Sequence, residues 1–202
     1  MITRLIRPSK KTEVMLKVQY RKTDAYHPGG LSEPAWDLMY DMLADEGITD
    51  AQDRIRRGEN GKPYIDGNPV FFNLSHSGEY VLGITADREA GCDIQKVKTC
   101  RGSVVNRFFH SDEKSYIEAA ADSAERDRRY TRVWALRESL VKCTGEGLRR
   151  DMKSFHFSFR DGKPLLHLSA ESEDEKECPE YAFSEPEIDG YQCACCIKKE
   201  LT

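Results

Sequence analysis

Alternating apolar and polar positions predict a strand near the start of the chain and a helix soon after it. From Glu13 to Tyr20 every second position is apolar, which is the period of a half-buried strand. Ser32 can cap a helix whose first turn holds Pro34, and Gly47 can close it. Within this helix the apolar residues recur at helical spacing, at Trp36, Met39, Tyr40 and Leu43.

Three short apolar runs follow, and turn-rich segments separate them. The runs are Pro69–Leu74, Tyr80–Thr85 and Gly91–Val97. Short runs bounded in this way predict an antiparallel meander of three strands. The charged segment Asp50–Asn60 that precedes them is typical of an exposed connection.

The second half of the chain predicts two short helices, one long helix and further strands. Ser103 and Ser111 stand where they can cap the short helices, and Gly145 ends the long one, Arg128–Cys143. Apolar runs predict strands at Phe155–Phe159, Pro164–Leu168 and Gln192–Ile197. The acidic segment Glu171–Glu177 predicts a solvated loop.

Each half of the chain therefore contains a helix and a few antiparallel strands. This organisation predicts an α+β fold in which each half has a small antiparallel sheet packed by helix. We divide the chain into an N-terminal half, residues 1–98, and a C-terminal half, residues 99–202. Because the two halves are expected to pack on each other, we expect a monomer.

Composition narrows the classes of partner. The net charge of −4 gives little electrostatic support for binding nucleic acid. No stretch approaches the length of a membrane span, and the opening residues lack the apolar core of a signal peptide, so we expect a cytoplasmic protein. Cys193, Cys195 and Cys196 lie in an apolar run, which favours reduced cysteines acting as small strand residues.

Three polar groups interrupt these apolar patterns and suggest chemistry. The turn Ser75–Gly78 offers hydroxyls, an imidazole and backbone N–H groups, which are the donors that a phosphate requires. Asp93 lies in a strand that looks buried, where an unpaired carboxylate is costly and a metal ion would satisfy it. Glu138 and Lys142 share one helix face and would suit phosphoryl transfer, as a metal ligand and a cation for a leaving phosphate.

Each of these residues also has a purely structural interpretation. A Glu–Lys pair at this spacing, taken alone, is more often a surface salt bridge worth about 0.3–0.5 kcal/mol. His76 alone is more often a turn or core histidine, and Asp93 alone can hold a turn at a strand end. Lys62, which precedes Pro63, can be an ordinary lysine of a loop without a role in binding.

Together and in this order, the segments resemble the larger, pseudodimeric (Sfp-type) class of 4′-phosphopantetheinyl transferases. The family pattern combines G-K-P, F-N-x-S-H-S, G-x-D-x-E and W-x-x-K-E-x-x-x-K followed by G-x-G-L. The corresponding segments are GKP at 61–63, FNLSHS at 72–77, GCDIQ at 91–95, WALRESLVK at 134–142 and GEGL at 145–148. The resemblance is clear from Gly61 to Leu148 and loose over the C-terminal strands.

The resemblance implies an enzyme that transfers the 4′-phosphopantetheine arm of coenzyme A to a serine of an apo acyl or peptidyl carrier protein. Adenosine 3′,5′-bisphosphate would be released. Two similar α+β halves would form a pseudodimer with coenzyme A in the cleft between them. Lys62 would lie near the adenine and its phosphates, and Ser75 and His76 would bind phosphate oxygens.

The same resemblance implies a Mg²⁺ site. Asp93 and Glu138 would ligate the ion, which also touches the coenzyme pyrophosphate. Lys142 would neutralise the pyrophosphate and the departing nucleotide. Either Glu138 or a water held by the metal would take the proton of the carrier serine.

The chain departs from the family pattern in three places. Gln95 replaces the acidic residue two positions after Asp93, and alternation along a strand predicts that it faces the metal beside Asp93. Arg137 replaces the lysine before Glu138, a change of geometry at constant charge. The segment Leu31–Glu46, where relatives carry basic residues for the 3′-phosphate, has none; nearby candidates are Lys22, Arg54, Arg56 and Arg57.

Two other functions remain open at this point. A metal-dependent phosphohydrolase would also use Asp93 and Glu138, but it leaves the FNLSHS segment and the tryptophan-containing helix unexplained. A non-catalytic coenzyme A-binding homologue is suggested by Gln95 and by the helix without basic residues. The carrier protein and its pathway are open in every case.

Overall fold

A computed structural model describes residues 2–4, 16–23, 32–67, 70–168 and 176–200. Its helices are α1 (Ser32–Asp45), α2 (Ala51–Arg54), α3 (Gly102–Phe108), α4 (Ser111–Glu118) and α5 (Ser123–Thr144). Its strands are β1 (Ile2–Arg4), β2 (Leu16–Lys22), β3 (Ile55–Arg57), β4 (Pro63–Ile65), β5 (Phe71–Ser77), β6 (Tyr80–Ala86), β7 (Ala90–Lys96), β8 (Phe155–Arg160), β9 (Lys163–Leu168), β10 (Lys176–Glu177), β11 (Tyr181–Ser184) and β12 (Tyr191–Lys198). Helices and small antiparallel sheets confirm the predicted α+β fold.

The N-terminal sheet has the order β1-β2-β6-β5, and all of its pairs are antiparallel. The predicted strand at Glu13–Tyr20 corresponds to β2, although residues 13–15 lie outside the described part of the chain, as does Pro69 before β5. Helix α1 covers one face of this sheet and buries a row of apolar side chains against Phe72 and Val81, namely Ala35, Leu38, Met39, Met42 and Leu43. The helix therefore forms as its apolar spacing predicts.

The predicted three-strand meander is wrong in its last strand. β5 and β6 form the expected hairpin, but β7 pairs antiparallel with β12, in a second sheet of order β11-β12-β7. The reason is that β6 pairs with β2 along one edge and with β5 along the other, so no edge of β6 remains for β7. β7 thus lies in the C-terminal sheet, although a boundary at residue 98 assigns it to the first half. That division of the chain stays a prediction.

Polar side chains join the two sheets where backbone pairing is missing. Along β5, side-chain oxygens of alternate residues accept hydrogen bonds from backbone N–H groups of β7. The pairs are Asn73 Oδ1 with Cys92 N at 3.0 Å, Ser75 Oγ with Ile94 N at 3.3 Å and Ser77 Oγ with Lys96 N at 2.9 Å. Backbone donors at Cys92 and Ile94 are buried and need partners, and with the more exposed bond of Ser77 these polar residues hold β7 beside β5.

Helix α5 packs across the C-terminal sheet and begins earlier than predicted. The side chain of Asp122 accepts a hydrogen bond from Glu125 N at 2.7 Å, and this cap sets the start at Ser123 rather than Arg128. Gly145 ends the helix in the left-handed region, with φ 72°. Close packing of α5 on β7 requires Gly91, because a Cβ there would lie 2.2 Å from the backbone nitrogen of Cys143.

The short helices α3 and α4 form where predicted, but neither is capped by the serine expected. Arg101 precedes α3 and makes no side-chain cap bond. His110 caps α4: its ring accepts from Asp112 N, while the Glu113 side chain accepts from His110 N. The imidazole takes the place of Ser111 because the helix begins one residue earlier than the serine cap requires.

A third sheet, β10-β9-β8, carries the two strands predicted at Phe155–Phe159 and Pro164–Leu168. Of the segment Glu171–Glu177, residues 171–175 lie outside the described part, and the last two belong to β10. All cysteines are free, and those of β12 are buried in the core as predicted. No helix in the described ranges is both long enough and apolar enough to cross a membrane.

Candidate active site

Asp93 lies at the centre of a polar cluster where the two sheets and α5 meet. The carboxylate is buried in β7. Its Oδ1 accepts from Ser75 Oγ of β5 at 2.9 Å and from Lys142 Nζ of α5 at 2.7 Å. Lys142 Nζ also donates to Ser75 Oγ at 3.0 Å. Three segments that are far apart in sequence thus bring their polar residues to one point.

The hydroxyl of Ser75 is fully engaged inside the protein. It donates to Asp93 and accepts from Lys142 Nζ and from Ile94 N. A hydroxyl has one hydrogen and two lone pairs, so these bonds use its whole capacity. The geometry therefore makes Ser75 a support for Asp93. Direct contact between Ser75 and a phosphate stays a prediction.

Gln95 lies beside Asp93, on the same face of β7 as alternation predicts. Its Nε2 donates to Asp93 Oδ2 at 2.8 Å, and its Oε1 accepts from Lys98 Nζ at 2.7 Å. The amide therefore turns its nitrogen towards the carboxylate and its oxygen towards an exposed lysine. Lys98 was not among the predicted site residues, since nothing in its sequence context distinguishes it from other surface lysines.

Glu138 faces Asp93 from α5, one helical turn before Lys142. Its half-buried carboxylate makes no hydrogen bond or ion pair within the described part of the chain, although Lys142 is four residues away. Burial, and then the negative charge of Asp93, raise the pKa of Glu138. The surface salt bridge that the spacing alone favours does not form, because Lys142 pairs with Asp93 instead.

The charges of this cluster suit a divalent cation. Asp93 and Glu138 present carboxylate oxygens, which are the ligands that Mg²⁺ prefers. Their mutual repulsion, which contributes to the raised pKa of Glu138, is relieved when a cation lies between them. Burial lowers the pKa of Lys142 but the neighbouring Asp93 outweighs it, so this pKa is raised and the lysine stays charged. The residues present therefore fit a magnesium ion.

His76 follows Ser75 on β5 and is exposed at the edge of the cluster. Burial of its ring, and then the positive charge of Lys142, lower the pKa of His76, while Asp93 opposes this effect. The imidazole is therefore close enough to feel both charges. It is available to a ligand that approaches the cluster from solvent.

Lys62 is separate from the Asp93 cluster and lines a neighbouring cavity. Its Nζ donates to the backbone carbonyls of Ala90 at 3.1 Å and Cys143 at 2.7 Å, and burial lowers its pKa. The cavity has a volume of about 350 Å³, and its walls include Pro63, Tyr64, Phe72, Glu89 and Thr144. Because Ala90 precedes Asp93 on β7 and Cys143 follows Lys142 on α5, the cavity and the cluster flank the same two elements.

Arg137 does not belong to the site, although it precedes Glu138. It is fully buried on the other side of α5, where its Nη1 donates to both carboxylate oxygens of Glu113, at 2.7 and 2.8 Å. The basic residues considered for a nucleotide phosphate have local partners: Arg54, Arg56 and Arg57 donate to backbone carbonyls, and Lys22 lies 3.6 Å from Glu79. The structure does not bring any of them to the Asp93 cluster.

The fold and the cluster together define an α+β protein in which the carboxylates of Asp93 and Glu138 lie near each other where two sheets meet. The profile of the 4′-phosphopantetheinyl transferase superfamily matches residues 89–196, which contain β7, α5 and the C-terminal strands. The match covers more than half of the chain, and the chain belongs to this family.

Several individual relatives are named as 4′-phosphopantetheinyl transferases. The 4′-phosphopantetheinyl transferase psf-1 of Bacillus pumilus is 35% identical over 144 residues, which are 69% of this chain and 58% of the relative. The transferase Sfp of Bacillus subtilis is 31% identical over 145 residues, or 71% and 62% of the two chains. The transferase ffp of Bacillus subtilis is 29% identical over 188 residues, or 89% and 77%. The chain therefore spans less than two thirds of psf-1 and of Sfp.

Proposed function

We propose that the protein transfers the 4′-phosphopantetheine arm of coenzyme A to a serine of an apo acyl or peptidyl carrier protein. The observation that carries this proposal is the buried carboxylate Asp93, held by Ser75 and Lys142 and faced by Glu138, which has no ion pair among the described residues. Four residues from three motifs of one family meet in one polar cluster, which chance motif matches would not produce.

The proposed reaction is a displacement at the β-phosphorus of coenzyme A. A bond forms between the carrier serine oxygen and phosphorus, and the bond to the bridging pyrophosphate oxygen breaks. Adenosine 3′,5′-bisphosphate leaves with the electron pair of the broken bond. The serine loses its proton, and Glu138 would accept it as the carboxylate of the cluster without a hydrogen bond or ion pair in the described part of the chain.

The remaining residues bind and orient the coenzyme. Asp93 and Glu138 would hold Mg²⁺, which when bound supplies positive charge to the pyrophosphate. Lys142, kept charged by Asp93, would stabilise the negative charge that develops on the leaving nucleotide. His76 would contact a phosphate from the solvent side. The cavity beside Lys62, with an aromatic and apolar wall, would take the adenine.

Gln95 is the member of this set that differs most from the family pattern. Its amide already contacts Asp93, and a turn of the amide group would present its oxygen to a cation. We propose that it supports the metal site with less charge than a carboxylate would. We further propose a monomer that acts in the cytoplasm, where the free cysteines would stay reduced.

The direct test is intact-mass analysis of candidate apo-carriers incubated with the protein, coenzyme A and Mg²⁺. Transfer adds the mass of phosphopantetheine to the carrier, and replacing the acceptor serine by alanine abolishes the gain. Release of phosphate from simple esters, without a gain in carrier mass, would instead indicate a phosphohydrolase. Calorimetric binding of coenzyme A with no transfer to any carrier would indicate a non-catalytic homologue.

A further inference from the structure

A second group of metal-ligating side chains lies where the start of α4 meets β8. It consists of His110, Asp112 and His156, whose ligand atoms all lie within 4.8 Å of one another. Across the described ranges, no other group of three such residues is this compact. It shares no residue with the Asp93 cluster, and the proposed transferase reaction does not use it.

The distances within the group are close to those of a zinc site. Asp112 Oδ2 lies 3.6 Å from His156 Nε2 and 4.0 Å from His110 Nδ1. Two ligands bound tetrahedrally to one zinc ion at about 2.1 Å are themselves about 3.4 Å apart. The carboxylate is therefore within about 0.6 Å of zinc-ligand spacing from each ring nitrogen, and a turn of the His110 ring would bring both imidazoles onto one ion.

The histidines form a stack, and the stack decides where an ion can bind. The rings of His110 and His156 are 3.8 Å apart, and His167 follows at 4.8 Å from His156. A ring nitrogen coordinates in the plane of its ring, so an ion must bind at the edge of the stack beside Asp112. His156 is buried, whereas His110 is partly exposed at the start of α4, and zinc would take the Nδ1 lone pair that accepts from Asp112 N at 3.4 Å.

His167 extends the stack without offering a ligand. Its Nε2 is engaged with Ser158 Oγ at 2.7 Å. This residue therefore provides a control within the same stack, because removing it leaves the three ligand atoms in place.

We propose that His110, Asp112 and His156 form a zinc site with water as the fourth ligand. Two imidazoles and one carboxylate are a ligand set for zinc and related transition ions, whereas Mg²⁺ prefers oxygen ligands alone. The site joins a helix and a strand that are already in contact, since Glu113 accepts from Phe157 N at 3.1 Å. Zinc would add a further link between α4 and β8 and so stabilise the C-terminal half.

The experiment is equilibrium dialysis of the 202-residue chain against Zn²⁺, with reductant and excess Mg²⁺, followed by metal analysis. Excess Mg²⁺ would occupy the proposed oxygen ligands Asp93 and Glu138 but would compete poorly for imidazoles. We expect one zinc per chain and a higher Tm with zinc. Replacing zinc by Co²⁺ should give the visible absorption of a four-coordinate ion.

Three variants decide the ligand assignment. Asp112→Asn removes the carboxylate, and His110→Asn removes an imidazole while keeping a residue that caps helices well. Each should weaken zinc binding at least about tenfold and abolish the rise in Tm, whereas His167→Ala should keep both. Three results would each overturn the proposal. They are the lack of stoichiometric zinc in the unchanged chain, zinc binding by both asparagine variants that is as tight as in the unchanged chain, and loss of binding in His167→Ala.

Discussion

At the scale of single residues, the site depends on which groups neutralise the charge of the Asp93 carboxylate. Its two oxygens receive hydrogen bonds from Ser75, Lys142 and Gln95. The neighbouring Glu138 receives none within the described residues, and the two carboxylates repel each other. One cation bound between them would relieve this repulsion.

Glu138→Gln should reduce the rate of single-turnover transfer by at least about 100-fold. The change removes a proposed metal ligand and the proposed proton acceptor together. Lys142→Ala should leave measurable turnover, because the metal shares the role of the lysine at the leaving group and Ser75 and Gln95 still donate to Asp93. The matched control is Glu118→Gln, at the exposed end of α4, which should not alter the rate. Near-normal rates in both site variants would show that these residues form no active site.

Gln95→Glu should lower the Mg²⁺ concentration needed for half-maximal rate. A carboxylate beside Asp93 adds the negative charge that the amide lacks, and Lys98 remains to orient it. Gln95→Ala should change the requirement only modestly, since Asp93 and Glu138 remain. Magnesium titrations of the three proteins make the comparison. An unchanged requirement in Gln95→Glu would mean that residue 95 does not act as a ligand position.

The raised pKa of Glu138 predicts how pH affects metal binding. A folded-state pKa above the unfolded value means that the folded protein holds this proton more tightly, so without metal the group's contribution to stability is lost as pH rises. Mg²⁺ binds the ionised form, so its stabilising effect should grow as pH rises through the raised pKa. The rise in Tm caused by Mg²⁺ should therefore be larger at about pH 8 than at about pH 5. If Mg²⁺ raised the Tm equally at both pH values, or if Glu138→Gln kept the same pH difference, ionisation of Glu138 would not be the cause.

At the scale of elements, the site requires α5 to lie against β7 without a side chain between them. Gly91 permits this approach, because an added Cβ would meet backbone atoms of α5 that cannot move separately, Cys143 N at 2.2 Å and Ser139 O at 2.4 Å. Packing therefore explains why a glycine is needed at position 91, the first residue of the GCDIQ segment. The close approach of α5 also brings Lys142 within reach of Asp93.

Gly91→Ala should lower the free energy of unfolding by about 3 kcal/mol, since overpacking at a rigid contact strains the backbone. It should also reduce transfer by moving Lys142 away from Asp93. The control is Gly102→Ala at the start of α3, where a Cβ meets nothing within 4 Å. Urea denaturation measures both variants. Equal stabilities would show that α5 and β7 are not packed this closely in solution.

The elements also show which structural features a sequence can and cannot reveal. The helix α1 follows from the local spacing of Met39 and Leu43, and the end of α5 follows from Gly145. The pairing of β7 does not, because it depends on which strand edges remain open after β2, β5 and β6 have paired. The cap of α4 was missed because His110 is a less common capping residue than the serine beside it.

At the scale of the whole molecule, side chains of one motif join two sheets and build the site at their junction. Asn73, Ser75 and Ser77 hold β7 beside β5, so the FNLSHS segment has a structural role in addition to any contact with a phosphate. Asp93 could be predicted because a buried charge is costly without a partner, and Glu138 and Lys142 because they share one helix face. Lys98 could not be predicted, because its hydrogen bond to Gln95 depends on the folded end of the strand. Arg137 is not part of the site, because it packs in the core and pairs with Glu113.

The metal dependence of transfer tests the central claim most directly. The measurement is the single-turnover rate of phosphopantetheine transfer by rigorously metal-stripped protein, followed by titration with Mg²⁺. A cation held by Asp93 and Glu138 predicts a rate that falls to background after stripping, returns with Mg²⁺ in the native protein, and does not return in Glu138→Gln. Undiminished transfer after complete metal removal would contradict the proposed site.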